Sequence, residues 1–387
     1  MKIKPIVSIV KCEDYDAGRV GDAVAEALRL AELDSSFNSG QNVLLKPNLL
    51  SARTPDEAVT THPALVTALG KITLERGCRV AVGDSPPFNG ETQARYDRLC
   101  EVTGIRAVAD ELSIPLLRFE EDVVRAANPE GRFYRSFEVA RAALESDVII
   151  NIPKLKTHGL TAYTGAVKNL FGCIPGIRKG LFHVQSAEQR ETFAQMLVDL
   201  LGVFKPAINV MDAVVALEGE GPNSGNPRHV GLIIASADPV ALDAVACAII
   251  GIDPLSIHTT RLAHEQGLGC GDLSSIDVRG ESIESVRVSG FKQSSGHNDW
   301  ARIPTPVRRL LRNQLVASPQ VRSGECVGCG DCARACPVKA ITPGKPVTID
   351  LTRCIRCYCC HEVCNPSAIN LKVGMVGRIV SALLRKK

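Results

Sequence analysis

Eight cysteines near the C-terminus constrain this chain more than any other feature. They run Cys326-x2-Cys329-x2-Cys332-x3-Cys336-Pro337 and then Cys354-x2-Cys357-x2-Cys360-x3-Cys364. Thiolates at this spacing in a tight turn take three corners of one iron–sulfur cube, and the fourth of each run reaches the other cube. The pattern predicts two [4Fe–4S] clusters. Cys326, Cys329, Cys332 and Cys364 are expected on the first, and Cys354, Cys357, Cys360 and Cys336 on the second. A pair of structural zinc sites competes with this, because Cys-x2-Cys pairs also build zinc ribbons. Zinc would leave the third and fourth cysteines of each run without a task. Cys359 lies between ligands and is expected to pack as a small buried side chain.

The two runs are an internal repeat, Cys336-Pro-Val-Lys-Ala-Ile341 aligning with Cys364-Asn-Pro-Ser-Ala-Ile369. The proline slips by one place in the second half without removing a ligand. Residues 324–373 are therefore expected to form a small α+β domain resembling bacterial-type 2[4Fe–4S] ferredoxins.

Net charge of +3 and only 4% aromatic residues argue against a nucleic-acid binder, which needs a basic surface or stacking rings. The other cysteines, Cys12, Cys78, Cys100, Cys173, Cys247 and Cys270, are scattered and make no disulfide framework. No stretch reaches the roughly 20 apolar residues of a membrane span. The first residues read as a strand rather than a signal peptide. A reducing, cytoplasmic location and no integral membrane segment are the expectations.

Residues 1–290 read as an α/β domain with a mostly parallel sheet and flanking helices. Short apolar runs such as Val43–Leu45, Arg79–Val82, Val148–Ile150, Ile208–Val210 and Val230–Ile234 alternate with helical patterns. The helices are expected at Ala23 to Leu33, Pro63 to Glu75, Ala187 to Phe204 and Pro239 to Ile250. The strands end in polar groups: Lys46-Pro-Asn48, Gly83-Asp-Ser-Pro86, Pro153-Lys-Leu-Lys-Thr-His158, and Asp212 followed by Glu218 and Glu220. Carboxyl ends of parallel strands share one edge, where ligands bind.

These segments, with Thr61-His-Pro63 and Thr164-Gly-Ala-Val-Lys-Asn-Leu-Phe-Gly172, resemble the DUF362 family. The resemblance covers nearly the whole chain. It implies an iron–sulfur redox protein with a C-terminal double-cluster module and no well-established substrate.

The chemistry of the edge suggests its ligand. Lys46, Asn48, Lys156, Lys168, Asn169 and Asp212 are expected to bind a small anionic substrate, and His158, Asp84 and Lys154 to act catalytically, His158 or Asp84 moving a proton. Mutual pairing of the lysines with the carboxylates is the alternative. Lys154 and Lys156 flank Leu155, so they point the same way and invite an anion or acid between them. Thr164 is expected to cap the helix carrying Lys168 and Asn169, directing backbone N–H groups at an anion. His62 is expected to cap the next helix, and His183, His229 and His258 to be ordinary satisfied histidines.

Two glycine-rich stretches fail as nucleotide loops. Gly267-Leu-Gly269-Cys-Gly271 follows a helical pattern, not a strand, and Gly219-Glu-Gly221-Pro-Asn-Ser-Gly225 reads better as a mobile loop over a site. Residues 291–323 form a basic linker with an amphipathic run, Val307 to Val316, and residues 374–387 a basic amphipathic tail. Either could pack on the protein or meet an acidic redox partner, and the tail could also touch a membrane surface.

Two function classes remain open. One is a ferredoxin-type reductase, in which electrons from a partner protein reach a substrate at the lysine-rich edge. The other is a non-catalytic electron carrier or scaffold that docks a partner.

Overall fold

A computed structural model of the chain describes residues 4–87, 91–176, 178–186, 189–295 and 312–375. The large domain is built on β1 (Ile6–Lys11), β2 (Asn42–Pro47), β3 (Arg79–Asp84), β4 (Leu116–Arg118), β5 (Val123–Ala127), β6 (Ser136–Ala140), β7 (Val148–Ile152), β8 (Lys154–His158), β9 (Ala162–Thr164), β10 (Ile208–Glu218), β11 (Asn226–Ser236) and β12 (Asp277–Gly280). Ten of these make one mixed sheet, in the order β12-β1-β11-β10-β7-β2-β3-β4, with β8 on β10 and β9 on β8. Neighbours from β10 to β4 run parallel. β11 is antiparallel to both β10 and β1. β5 and β6 form a separate hairpin. The expected mostly parallel sheet with flanking helices is what the chain forms.

Alternation along each strand assigns the two faces. Val43 and Leu45 face the core beneath helices Ala17–Leu30 and Pro63–Glu75, while Leu44 faces Phe119 and Cys173 on the other side. Met211 and Ile234 pack with helix Pro239–Ile249. The first helix begins earlier than its apolar pattern suggests, because Asp16 caps the N–H groups of Gly18 and Arg19. His62 caps its helix as expected, Nδ1 accepting from the Ala64 N–H at 3.2 Å. The helix expected from Ala187 is described from Arg190 to Phe204; residues 187 and 188 lie outside the described residues.

Pro153 redirects the chain after β7. It has no N–H to continue the ladder, so pairing with β2 stops and the chain steps onto β10 as β8. The Lys154–His158 segment, read from sequence as a loop at a strand exit, is thus a fully buried strand.

The module comprises β13 (Ser318–Val321), β14 (Ile341–Thr342), β15 (Thr348–Ile349), β16 (Ile369–Lys372) and helices Asp331–Ala335 and Cys359–Glu362. β13 pairs antiparallel with β16, Val321 opposite Ile369. The module's first strand therefore lies inside the stretch read as linker, before the expected boundary at 324. Of the linker's Val307–Val316 run, residues 307–311 lie outside the described residues and Arg312–Leu315 forms a helical turn; the tail beyond Met375 also lies outside them.

The module docks on the α/β domain through a shared core. Ala317, Tyr358, Leu371 and Val373 pack in one cluster with Leu160, Val167, Leu170 and Phe193. The Gly219–Gly225 stretch is a bonded strut rather than a free flap: Asn223 Nδ2 donates to the Cys364 carbonyl at 3.0 Å, and the Gly219 N–H to the Lys292 carbonyl at 2.8 Å. Among the described residues no helix is long and apolar enough to cross a membrane.

Candidate functional site

The carboxyl edge of the sheet holds two fully buried ion pairs. Lys46, at the end of β2, donates to Asp84 Oδ1 at 2.9 Å, at the end of adjacent β3. Asp84 also accepts the N–H groups of Leu49 and Ser85. Lys154, on β8, donates to Asp212 Oδ2 at 2.8 Å on β10 and to the Tyr15 hydroxyl at 2.9 Å. Asp212 further accepts from Tyr15 Oη and the His62 N–H. The pairing alternative is what the structure shows for these four residues. Lys154 and Lys156 do project from the same face of β8, but no shared anion is needed between them, because Lys154 already has its acid.

Lys156 is bonded differently. Its ammonium donates to Asn48 Oδ1 at 2.6 Å and the Val59 carbonyl at 2.7 Å, both neutral oxygens. Burial, with Lys168 and Lys154 close by, pushes it well below the ordinary lysine range. From Asn48 a chain of amides continues inward. Asn48 donates to Asn169 Oδ1, Asn169 to Asn151 Oδ1, and Asn151 to Asn209 Oδ1. Asn48 and Asn169 thus tie loops to the sheet.

The ferredoxin-like module completes the edge. Glu362, from helix Cys359–Glu362, reaches into the α/β domain until Oε1 lies 3.1 Å from His158 Nε2. The approach lacks hydrogen-bond alignment. His158 Nδ1 accepts the Leu160 N–H at 3.0 Å, so the ring proton sits on Nε2, facing the carboxylate. Burial, reinforced by Lys168, lowers His158 to about 4, so it is neutral at pH 7. Burial raises Glu362, and the positive charge of Lys168 works against it.

Between module and domain lies a cavity with about 690 Å³ of empty space, part of it open to solvent. Asn48, Asp84, Lys168 and Asn169 line it from the large domain, and Ala335, Cys359, Glu362 and Val363 from the module. A smaller recess sharing Asn48, Lys168, Asn169 and Glu362 adjoins it and reaches Lys154 and Lys156. Lys168 places its ammonium 5.8 Å from the centroid of Phe171 and is in no salt bridge among the described residues. Of the expected site residues, Asn48, Asp84, Lys156, Lys168 and Asn169 come together here, with Lys46 and His158 directly behind. Asp212 is turned away into its own network.

Glu362 and Lys179 escaped sequence reasoning, and His183, expected to be an ordinary satisfied histidine, has a buried Nδ1 with no hydrogen-bond partner. Glu362 carried a faint signal, a charge between cluster-type cysteines. Lys179 and His183 carried the spacing of one helix face, but a polar face ordinarily reads as solvated.

Two expectations are corrected. Thr164 does not cap the turn Ala166–Asn169. Asp243 does, its carboxylate accepting the N–H groups of Ala166 at 2.6 Å and Val167 at 3.1 Å, so these donors are not available to an anion. Glu218 and Glu220 do not face the lysines. They accept from the Lys292 N–H and from Ser294 and Ser295, fastening the chain that leaves the domain.

The eight cysteines line two further cavities. Cys336, Cys354, Cys357 and Cys360 surround one with about 300 Å³ of empty space, and Cys326, Cys329, Cys332 and Cys364 another with about 330 Å³, part of each open to solvent. Burial and the facing cysteines of its set push the Cys332 thiol up to about 11. Four thiols that oppose one another's ionisation suit a cationic centre, which removes the penalty. Their spread around a space also suits a cube better than a single zinc ion, on which four sulfurs converge at about 2.3 Å. Among the described residues no three His, Cys, Asp or Glu side chains are placed to hold one metal ion.

Family models match both parts of the chain. The family model described as a domain of unknown function, DUF362, matches residues 43–248, and that of the 4Fe-4S binding domain matches residues 319–342. A thylakoid-associated protein of Synechocystis sp. is 35% identical over 263 residues, covering 68% of this chain and 79% of the relative. Among solved structures, the lactate racemase apoprotein from Thermoanaerobacterium thermosaccharolyticum matches at a TM-score of 0.38 and 14% identity, over 62% of this chain and 55% of that one.

Lys154→Met leaves Asp212 charged and buried without its cation, so unfolding by urea should show a loss of about 3–5 kcal/mol. Lys154→Met with Asp212→Leu should recover most of that loss. Two equally destabilised variants would mean the pair is not the source.

Asp243 gives a pH test. Burial raises its carboxyl from 3.8 to about 7, so the folded chain holds a proton that the unfolded chain has released. Stability must therefore fall as pH rises through that window and level off above it, by on the order of 4 kcal/mol from this group. Asp243→Asn should flatten the corresponding part of the profile of unfolding free energy against pH.

Proposed function

The chain belongs to the DUF362 family, and from that premise we propose that it is an iron–sulfur redox protein. In this reading it binds two [4Fe–4S] clusters and serves the reduction of a small anionic substrate held between module and sheet. One observation carries the reading. Helix Cys359–Glu362 contributes Cys360 to a cysteine-lined cavity and Glu362 and Cys359 to the cavity beside Lys168.

The clusters, when bound, supply one-electron transfer. We assign Cys326, Cys329, Cys332 and Cys364 to one and Cys336, Cys354, Cys357 and Cys360 to the other. Lys168 is the anchor for the anion, since its charge meets no salt-bridge partner among the described residues. Glu362 limits the cavity's positive charge, and neutral His158 lies beside that carboxylate, Nε2 at 3.1 Å from Oε1. Asp84 and Lys46 set the floor of the site and keep it rigid. Lys154 and Asp212 belong to its support, not its chemistry.

An electron-donor protein is part of the proposal. The exposed Cys329 and Val327, at the outer cysteine set, offer its docking point. This surface equally suits the second reading, a carrier that only relays electrons to a partner. The reducing cytoplasm fits the unpaired thiols of Cys12, Cys78, Cys100, Cys173, Cys247 and Cys270.

Anaerobically purified chain should contain about eight iron and eight sulfide, and Cys336→Ala or Cys364→Ala should lose about half of each. Lys168→Ala should retain the iron and the visible absorption. It should also lower reduction of small carboxylates or phosphates by the pre-reduced protein about 100-fold. Unchanged turnover in Lys168→Ala would remove the anchor. A protein that reduces no small molecule but still reduces a partner favours the carrier.

A further inference from the structure

Helix Arg178–Ser186 is inside out. Its buried residues are Lys179, His183 and Ser186, while Leu181 and Val184 stand 63% and 40% exposed. A surface helix normally turns its apolar stripe to the core, and lysine is almost never fully buried unless paired. Lys179 and His183 are four residues apart, so they share one face, and both line the cavity between module and domain.

Neither is placed there for packing alone. The His183 ring is clamped, stacked on Phe193 at 4.6 Å and edge-on to Phe171 at 6.1 Å. Its Nδ1 is nevertheless buried with no hydrogen-bond partner. Lys179 donates to the Ser85 carbonyl at 2.6 Å and to Ser85 Oγ at 2.7 Å, which leaves one of its three N–H groups. Ser85 Oγ in turn donates to Glu120 Oε1 at 2.5 Å, so the acid balancing Lys179 acts from behind a hydroxyl and leaves the cavity side clear.

We propose that Lys179 and His183 contact the cavity's ligand directly, offering an ammonium proton donor and a neutral imidazole to a small oxyanion. The proposal rests on the cavity being a ligand site. It adds to Lys168 the two groups that would recognise the ligand's second polar end and hold a proton there. Their protonation suits that division. Burial lowers Lys179 to about 8, with Glu120 and Asp84 opposing and Lys46 reinforcing, and Cys173 also near. Burial lowers His183 to about 4, with Glu362 opposing and Lys168 reinforcing. Near pH 7 the lysine is thus mostly protonated but close to giving up its proton, and the histidine is neutral.

Carbethoxylation of the intact, cluster-loaded chain by diethyl pyrocarbonate, mapped by mass spectrometry, tests this without a known substrate. The reagent attacks neutral imidazole and amine. His183 should react at a constant rate from pH 5.5 to 7.5, where an ordinary histidine's rate rises through about 6.5. Lys179 should react with a midpoint near pH 8. Malonate, or separately inorganic phosphate, at matched ionic strength should slow both sites about tenfold and leave His229 and Lys71 unchanged. Protection by one anion and not the other tells carboxylate from phosphate.

Lys179→Gln should keep its iron and unfolding midpoint but lose the anion protection of His183. No modification of either site, or modification that neither anion slows, overturns the proposal. So does full protection of His183 in Lys179→Gln. Protection that persists in a protein with no reductase turnover would instead sink the redox reading and leave this assignment standing.

Discussion

The buried charge at the carboxyl edge of the sheet is the constraint on which the rest depends. Lys46–Asp84 ties β2 to β3, and Lys154–Asp212 ties β8 to β10, both pairs buried. Removing such charges from water is expensive and is recovered only when geometry is good and the remaining lone pairs are bonded. The surroundings meet that demand. Asp84 receives two backbone N–H groups, and Asp212 receives Tyr15, His62 and Lys154. Gly172 meets it by absence, for a Cβ there would stand 2.0 Å from Asp84 Oδ1 and 2.6 Å from Lys46 Nζ.

With those charges satisfied, the edge divides into support and site. Lys46 and Lys154 are neutralised by their own domain, and Lys156 is fixed by Asn48 and Val59. Lys168, Lys179 and His183 instead face a space that the large domain alone does not close. The module closes it with Glu362, Cys359 and Val363. The composite nature of this cavity makes the module more than an attachment, because the helix that carries Cys360 also forms one wall of the cavity.

Much of this was legible in the residues. The cysteine spacing foretold two sets of four, and each set lines its own cavity. The strand-end polar groups foretold which edge to inspect. The helix starts at Pro63 and Pro239 followed from Pro at the first turn with His62 and Asp238 as caps. Pairing was not legible: Lys154 and Lys156 look alike in sequence, yet one meets Asp212 and the other meets carbonyl oxygens. Thr164 looked like a helix cap, and Asp243, 79 positions further on, holds that role. The inverted helix at Arg178–Ser186 was the least legible, because periodicity gives a helix two faces without saying which one points inward.

The sequence by itself determined the module and its ligand-type cysteines, the α/β class and the edge where polar groups gather. These are local or periodic properties, written in spacing and alternation. Only the tertiary structure decided which lysines are neutralised, that Glu362 crosses from the module to His158, and that Lys179 and His183 look into the cavity. Those outcomes depend on distances between segments far apart in the chain, set by sheet order and by docking of the module. A single sequence records such distances nowhere.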